Sequence, residues 1–245
     1  LNEGSERENA TEPPNKAVWV CERLDAAYGA VTWRPHGDPL GALVLTMLSQ
    51  HTSDRNCERA YDDLRRRFPS WEDVRAAPVG EIADTIRAGG LADSKSPRIR
   101  RVLEQIFDDR GETSLEFLRN TPTDEAKAYL GGFHGVGPKT AACVLMFSLG
   151  RPVLPVDTHV FRVSHRLGLI PRKIGEAKAH AVLEAQLPPE RVYSFHVHLI
   201  RHGRRVCTAQ RPRCGECVLQ SRCDYFKSEA AAEANRSAVP EIEQK

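Results

Sequence analysis

A chain of 245 residues and 27.3 kDa can bury one sizeable core or two modest ones. Its 40% hydrophobic and 28% charged content excludes a disordered or fibrous protein, and its formal charge of +2 means that any nucleic-acid face must be a local patch. No apolar run reaches the roughly eighteen residues of a membrane-spanning helix, and no secretion signal is expected.

Residues 1–14 are polar, end in Pro13-Pro14 and are expected to form a disordered lead-in. Val18, Cys21, Leu24 and Ala27 then give a helical stripe closed by Gly29. Pro39-Leu40 opens an apolar helix through Leu48. Asp54 to Phe68 is amphipathic and stops at Pro69. Val79 to Ala88 is short and stops at Gly89-Gly90. Ile99, Val102, Leu103, Ile106 and Phe107 recur at helical spacing as far as Gly111. Ser114 to Leu118 and Asp124 to Leu130 read as short helices. Pro138 to Leu149 is a strong helix with proline in its first turn and Gly150 at its end. Asp157 to Leu167, Gly175 to Leu187 and Val192 to Arg204 complete the set. Residues 227–245 are rich in Ala and Glu and are expected to be a mobile tail. Alternating strand patterns are scarce, so the fold class is all-α.

Four of the seven cysteines, Cys207, Cys214, Cys217 and Cys223, fall in a C-x6-C-x2-C-x5-C pattern. A set so compact reads as metal ligation in a reducing compartment, with Cys21, Cys57 and Cys143 as buried or idle thiols. Four thiolates suit either zinc or an iron–sulfur cluster. Zinc folds usually present two C-x2-C pairs, and here only Cys214 and Cys217 form one. Arg204, Arg205, Arg211 and Arg213 surround the loop, either as a phosphate-contacting patch or as solvated surface charge.

Gly135-Val136-Gly137 permits a tight turn and close backbone approach, and Pro138 starts the helix that follows. The first N–H groups of such a helix favour an anion, and a DNA phosphate is a natural occupant of a site made by Gly135, Val136, Gly137 and Thr140. Lys139 lies in the same first turn, where the helix dipole opposes an ammonium charge and favours a nucleophilic amine. Asp157 follows eighteen residues later. Alone it is a good helix N-cap. If the intervening turn folds back, it also sets a carboxylate opposite the lysine, as glycosidic-bond cleavage requires.

The run Phe133 to Ala141 (FHGVGPKTA), the run Val156 to Val163 (VDTHVFRV) and the four cysteines, in that order, resemble the endonuclease III family of helix–hairpin–helix DNA glycosylases. The resemblance covers roughly residues 16–226. It implies two helical lobes with DNA and an extruded base between them. One is a six-helix barrel at 39–150. The other combines 15–38 with 151–226 and carries a [4Fe-4S] cluster on Cys207, Cys214, Cys217 and Cys223. It further implies that Lys139 is a Schiff-base nucleophile and Asp157 its catalytic carboxylate. The expected partner is damaged double-stranded DNA, and the expected reaction is excision of oxidised pyrimidines followed by β-elimination. The expected state is a monomer, cytoplasmic and associated with the nucleoid.

The chain departs from the family pattern in places. Phe133-His134 stand where the family commonly has Leu-Pro. The segment Leu48 to Asp54 aligns with one that supplies a glutamine to fill the gap left by the extruded base; here His51 holds that place, with Gln50 beside it. Gly90 to Lys95 resembles the wedge loop, with Leu91 as the inserting side chain, Ala92 where an aromatic is usual, and Lys95 either on phosphate or at a helix start. These departures keep open a mismatch- or purine-directed glycosylase. A non-catalytic DNA-binding protein and an electron-transfer module are the readings of another class.

Overall fold

The computed structural model describes residues 15–171 and 173–229. The expected lead-in at 1–14 and the tail from 230 lie outside the described residues. Residues 227–229, placed with the tail from sequence, are helical.

The apolar spacings resolve into α1 (Lys16–Tyr28), α2 (Pro39–Leu48), α3 (Asp54–Arg67), α4 (Trp71–Ala76), α5 (Val79–Thr85), α6 (Ala92–Arg110), α7 (Thr123–Gly131), α8 (Pro138–Leu149), α9 (Thr158–Leu167), α10 (Glu176–Glu184) and α11 (Val192–Arg205). No strand occurs among the described residues. Short polar side chains fix several helix starts by accepting the first orphan N–H groups. Asn15 caps α1, Asp38 caps α2 and Ser53 caps α3. Ser70 and Asp73 form a reciprocal capping box on α4, a helix that the apolar pattern is too short to reveal.

The largest departure from expectation is α6. Its apolar stripe begins at Ile99, yet the helix begins at Ala92 and carries Pro97 inside it. Leu91 initiates it from a left-handed conformation, and Lys95 N–H bonds back to Leu91 O at 2.9 Å. Lys95 and Ser96 are buried, so packing rather than propensity extends the helix through a polar, proline-containing start. The stretch after it also differs: Glu116–Asn120 is a 3₁₀ turn in place of the expected helix.

Buried side chains form two clusters. One joins α2 to α7 with Ala141, Ala142, Val144 and Leu145 of α8. The other joins α1, α9, α10 and α11 with Met146 of α8 and with Leu219 and Cys223 of the cysteine loop. Helix α8 therefore contributes to both clusters and holds them in register. Its most extensive packing is against α2. A pair between Arg204 on α11 and Asp54 on α3, at 2.8 Å, adds an exposed tie between the two groups of helices.

Candidate active site and cluster loop

The hairpin is built as its glycines require. Gly135 has φ +83, which a side chain would strain, and Val136 N–H closes the turn onto Phe133 O at 3.1 Å. Phe133 is buried and meets Tyr129 edge-on at 5.1 Å, so an aromatic anchor replaces the Leu-Pro expected there. His134 is exposed. Gly137 is the N-cap of α8 and offers no side-chain cap, which leaves the first N–H groups of the helix open to an anion. Gln50 Nε2 reaches Gly135 O at 3.5 Å, linking the loop before α3 to the hairpin.

Lys139 lies in the first turn of α8 and is half-buried. It lines a cavity of about 570 Å³ together with Cys143 and Phe147. These three recur at i, i+4 and i+8, so one stripe of α8 forms a wall. His36, Asp38 and Tyr61 line the same cavity. Asp38 accepts the Gly41 N–H at 2.7 Å, and a Cβ at position 41 would stand 2.6 Å from the Tyr61 hydroxyl. Glycine at 41 thus lets Tyr61 and Asp38 come together, and burial pushes the Tyr61 phenol up. Burial also pushes the Cys143 thiol up, while the Lys139 ammonium beside it acts in the opposite direction. Sequence reasoning did not single out this wall. The spacing of Cys143 and Phe147 from Lys139 was a usable signal; His36, Asp38 and Tyr61 converge only through tertiary packing.

Asp157 caps α9. Its Oδ1 accepts the N–H groups of His159 at 2.9 Å and Val160 at 2.7 Å. Its Oδ2 accepts no hydrogen bond among the described residues, so one oxygen anchors the side chain and the other is available. The buried His196 lies within electrostatic reach of both Asp157 and Lys139. Its Nδ1–H donates to Pro155 O at 2.9 Å, tying down the segment that leads to Asp157, and its ring meets Phe147 at 5.6 Å. Burial pulls the His196 imidazole down to about 4 from an ordinary 6.5. The folded value lies below the unfolded one, so this contribution is complete above pH 6.5 and is lost as pH falls towards 4. Thermal melts across that window should show stability falling, and His196→Asn should flatten the dependence.

The cluster loop is bolted to the Asp157 helix. Arg162 Nε donates to Cys207 O at 3.1 Å and its Nη2 to Gly203 O at 2.9 Å. Arg166 Nη1 donates to Cys207 Sγ at 3.2 Å and to Thr208 O at 2.7 Å. Tyr28 Oη lies 2.9 Å from His202 Nδ1, and His202 Nε2 lies 3.4 Å from Cys217 Sγ. Replacing Arg162 with methionine should cost about 3 kcal/mol, because several charge-assisted bonds go together. Thermal denaturation followed by the visible absorbance of the cluster checks this.

The four cysteines line one small cavity of about 20 Å³ with Val206, Pro212 and Phe226. Four thiols around one cavity form an all-cysteine donor set, which is the chemistry of an iron–sulfur cluster. Burial pushes the Cys217 thiol up to about 11, so a cationic centre is what would keep it a thiolate.

Among the remaining residues expected at the DNA, His51 and Leu91 are exposed at loop tips, and Ala92 is buried as the first residue of α6. Arg211 is exposed. Arg213 is also exposed and reaches the α11 end: its Nε donates to Arg205 O at 3.0 Å, and Nη1 pairs with Glu216 at 3.2 Å. Lys95 requires correction. It is 4% exposed, too deep for a phosphate contact, because its ammonium is spent on two backbone carbonyls.

Residues 44–189 match the family of HhH-GPD superfamily base excision DNA repair proteins, and residues 207–223 match the iron–sulfur binding domain of endonuclease III. Endonuclease III of Thermotoga maritima is 33% identical over 199 residues, covering 80% of this chain and 87% of that protein. The chain belongs to the endonuclease III family, within the HhH-GPD superfamily. Its cysteine loop is accordingly the iron–sulfur loop of that family, and the residues that would hold the [4Fe-4S] cluster are Cys207, Cys214, Cys217 and Cys223. A candidate DNA glycosylase of Arabidopsis thaliana is 40% identical over 169 residues, 69% of this chain and 57% of that protein. The chain spans between 10% and 14% of the length of four larger plant relatives. A trapped endonuclease III–DNA covalent intermediate superposes with a TM-score of 0.75 at 27% identity, covering 89% of this chain and 99% of that one.

Proposed function

We propose that this protein is a base-excision DNA glycosylase with abasic-site lyase activity, acting as a monomer on oxidised pyrimidines in double-stranded DNA. The observation that carries the reading is Lys139: a half-buried amine in an uncapped first turn, opening onto a cavity, with the Asp157 helix start within the same electrostatic neighbourhood. A relative named a DNA glycosylase/AP lyase and the trapped covalent complex of a structural neighbour support it.

In this reading the hairpin N–H groups hold a backbone phosphate while the damaged nucleotide is extruded into the cavity. The Lys139 nitrogen bonds to C1′ as the C1′–N glycosidic bond breaks, and the base leaves with that electron pair and a proton. The Asp157 carboxylate offsets the positive charge that develops on the sugar. Lys139 loses a proton and the sugar ring opens to an imine. Removal of a C2′ proton then expels the 3′ phosphate, and water releases the enzyme. What the cluster supplies when bound is a structural staple for the loop that Arg162 and Arg166 grip.

The deciding experiment is borohydride trapping on a duplex containing thymine glycol. A covalent band, absent in a chain without Lys139, is the expected result. Trapping on an abasic duplex alone would retain the lyase and move the lesion preference to mismatches or purines. No trapping on either would leave base removal only, or a non-catalytic DNA-binding protein.

A further inference from the structure

Two loop tips carry the non-glycine residues with positive φ among the described residues, His51 at 54° and Leu91 at 51°. A left-handed conformation is unfavourable for a residue with a Cβ, and it persists where the surroundings over-determine it. Leu91 is also 57% exposed, an apolar side chain held out in water. The two tips belong to different segments, yet one buried side chain serves both. Lys95 Nζ donates to Leu48 O at 2.6 Å and to Gly89 O at 3.0 Å. Leu48 is the last residue of α2, three positions before His51. Gly89 ends the 3₁₀ turn Arg87–Gly89, two positions before Leu91. Both carbonyls lie at C-terminal helix ends, where orphan acceptors and partial negative charge favour an ammonium. Lys95 has no carboxylate within 4 Å among the described residues, so these two helix ends are its counter-charge.

We propose that Lys95 is a positioning residue that couples the two tips, presetting His51 and Leu91 at the separation at which both enter the duplex around an extruded nucleotide. The proposal rests on the reading of the chain as a base-extruding enzyme. Extrusion costs the stacking and pairing of the nucleotide. Tips ordered only on contact would add their own ordering cost, whereas preset tips do not. Lys95 itself never reaches the DNA.

The test is Lys95→Met, which keeps the aliphatic stem and removes the donors. Base release from a lesion duplex should fall about 10²-fold, as for a misplaced positioning group. Cleavage of an abasic site in single-stranded DNA, which has no stack to open, should persist. Adding the substitution to His51→Ala/Leu91→Ala should then cost little more, because the three act as one unit. Equal losses on both substrates, or additive losses in that combination, would overturn the coupling. Hydrogen exchange on the unaltered protein decides independently of activity and of whether the variant folds. Coupling requires the amides of 49–53 and 89–92 to open at one common rate, and separate rates exclude it. Failure of the unaltered enzyme on both substrates would instead remove the enzymatic reading.

Discussion

Replacing Lys139 with glutamine should abolish borohydride trapping and strand cleavage while leaving affinity for undamaged duplex within a few-fold. The expectation follows from where the side chain sits. Lys139 occupies the first turn of α8 but points along the cavity wall with Cys143 and Phe147. The phosphate site proposed for the hairpin uses backbone N–H groups after Gly137, which the substitution leaves in place. Glutamine keeps length and polarity but cannot form an imine. Trapping on an abasic duplex, measured beside gel-shift affinity, separates the two functions. A covalent band that survives the substitution would assign the nucleophile elsewhere.

Asp157→Asn should cost base release a factor on the order of 10² or more, with stability almost unchanged. Asparagine and aspartate cap helices about equally well, so the bonds from His159 and Val160 N–H to the side-chain oxygen should persist. What disappears is the negative charge that the proposed mechanism sets against C1′. Asp157→Ala provides the contrast, since it should lose the cap as well and destabilise the fold by about 1 kcal/mol. Single-turnover base release and thermal melts on both variants check this. A large melting shift in Asp157→Asn with unchanged catalysis would reduce the residue to a cap.

Much of this site was legible because its signals are local. Gly135, Gly137 and Pro138 announce a turn and a helix start within four positions, and the bounds of α8 agree with the apolar run from Pro138 to Leu149. The cysteine spacing likewise names its ligands without reference to the rest of the fold. Helix α4 was missed because a six-residue helix offers too little periodicity to read, although its capping box was present in Ser70 and Asp73. The start of α6 was missed for a different reason. Asp93 to Pro97 is polar and proline-containing, and only its burial against the end of α2 makes it helical.

Residue chemistry and spacing along the chain thus specified an all-α protein, a phosphate-ready helix start, a lysine and an aspartate at successive helix N-termini, and a four-cysteine centre. Those features depend on neighbours within about a turn or a loop, where periodicity, capping and dipole arguments apply directly. The roles of Lys95, His196, Tyr61 and Arg162 depend on partners far away in sequence. Lys95 has the composition of a surface cation and becomes a clamp because two helix ends 41 positions apart, at Leu48 and Gly89, converge on it. A charged side chain is placed by where its charge can be satisfied, and in this protein two distant carbonyls satisfy it in the interior.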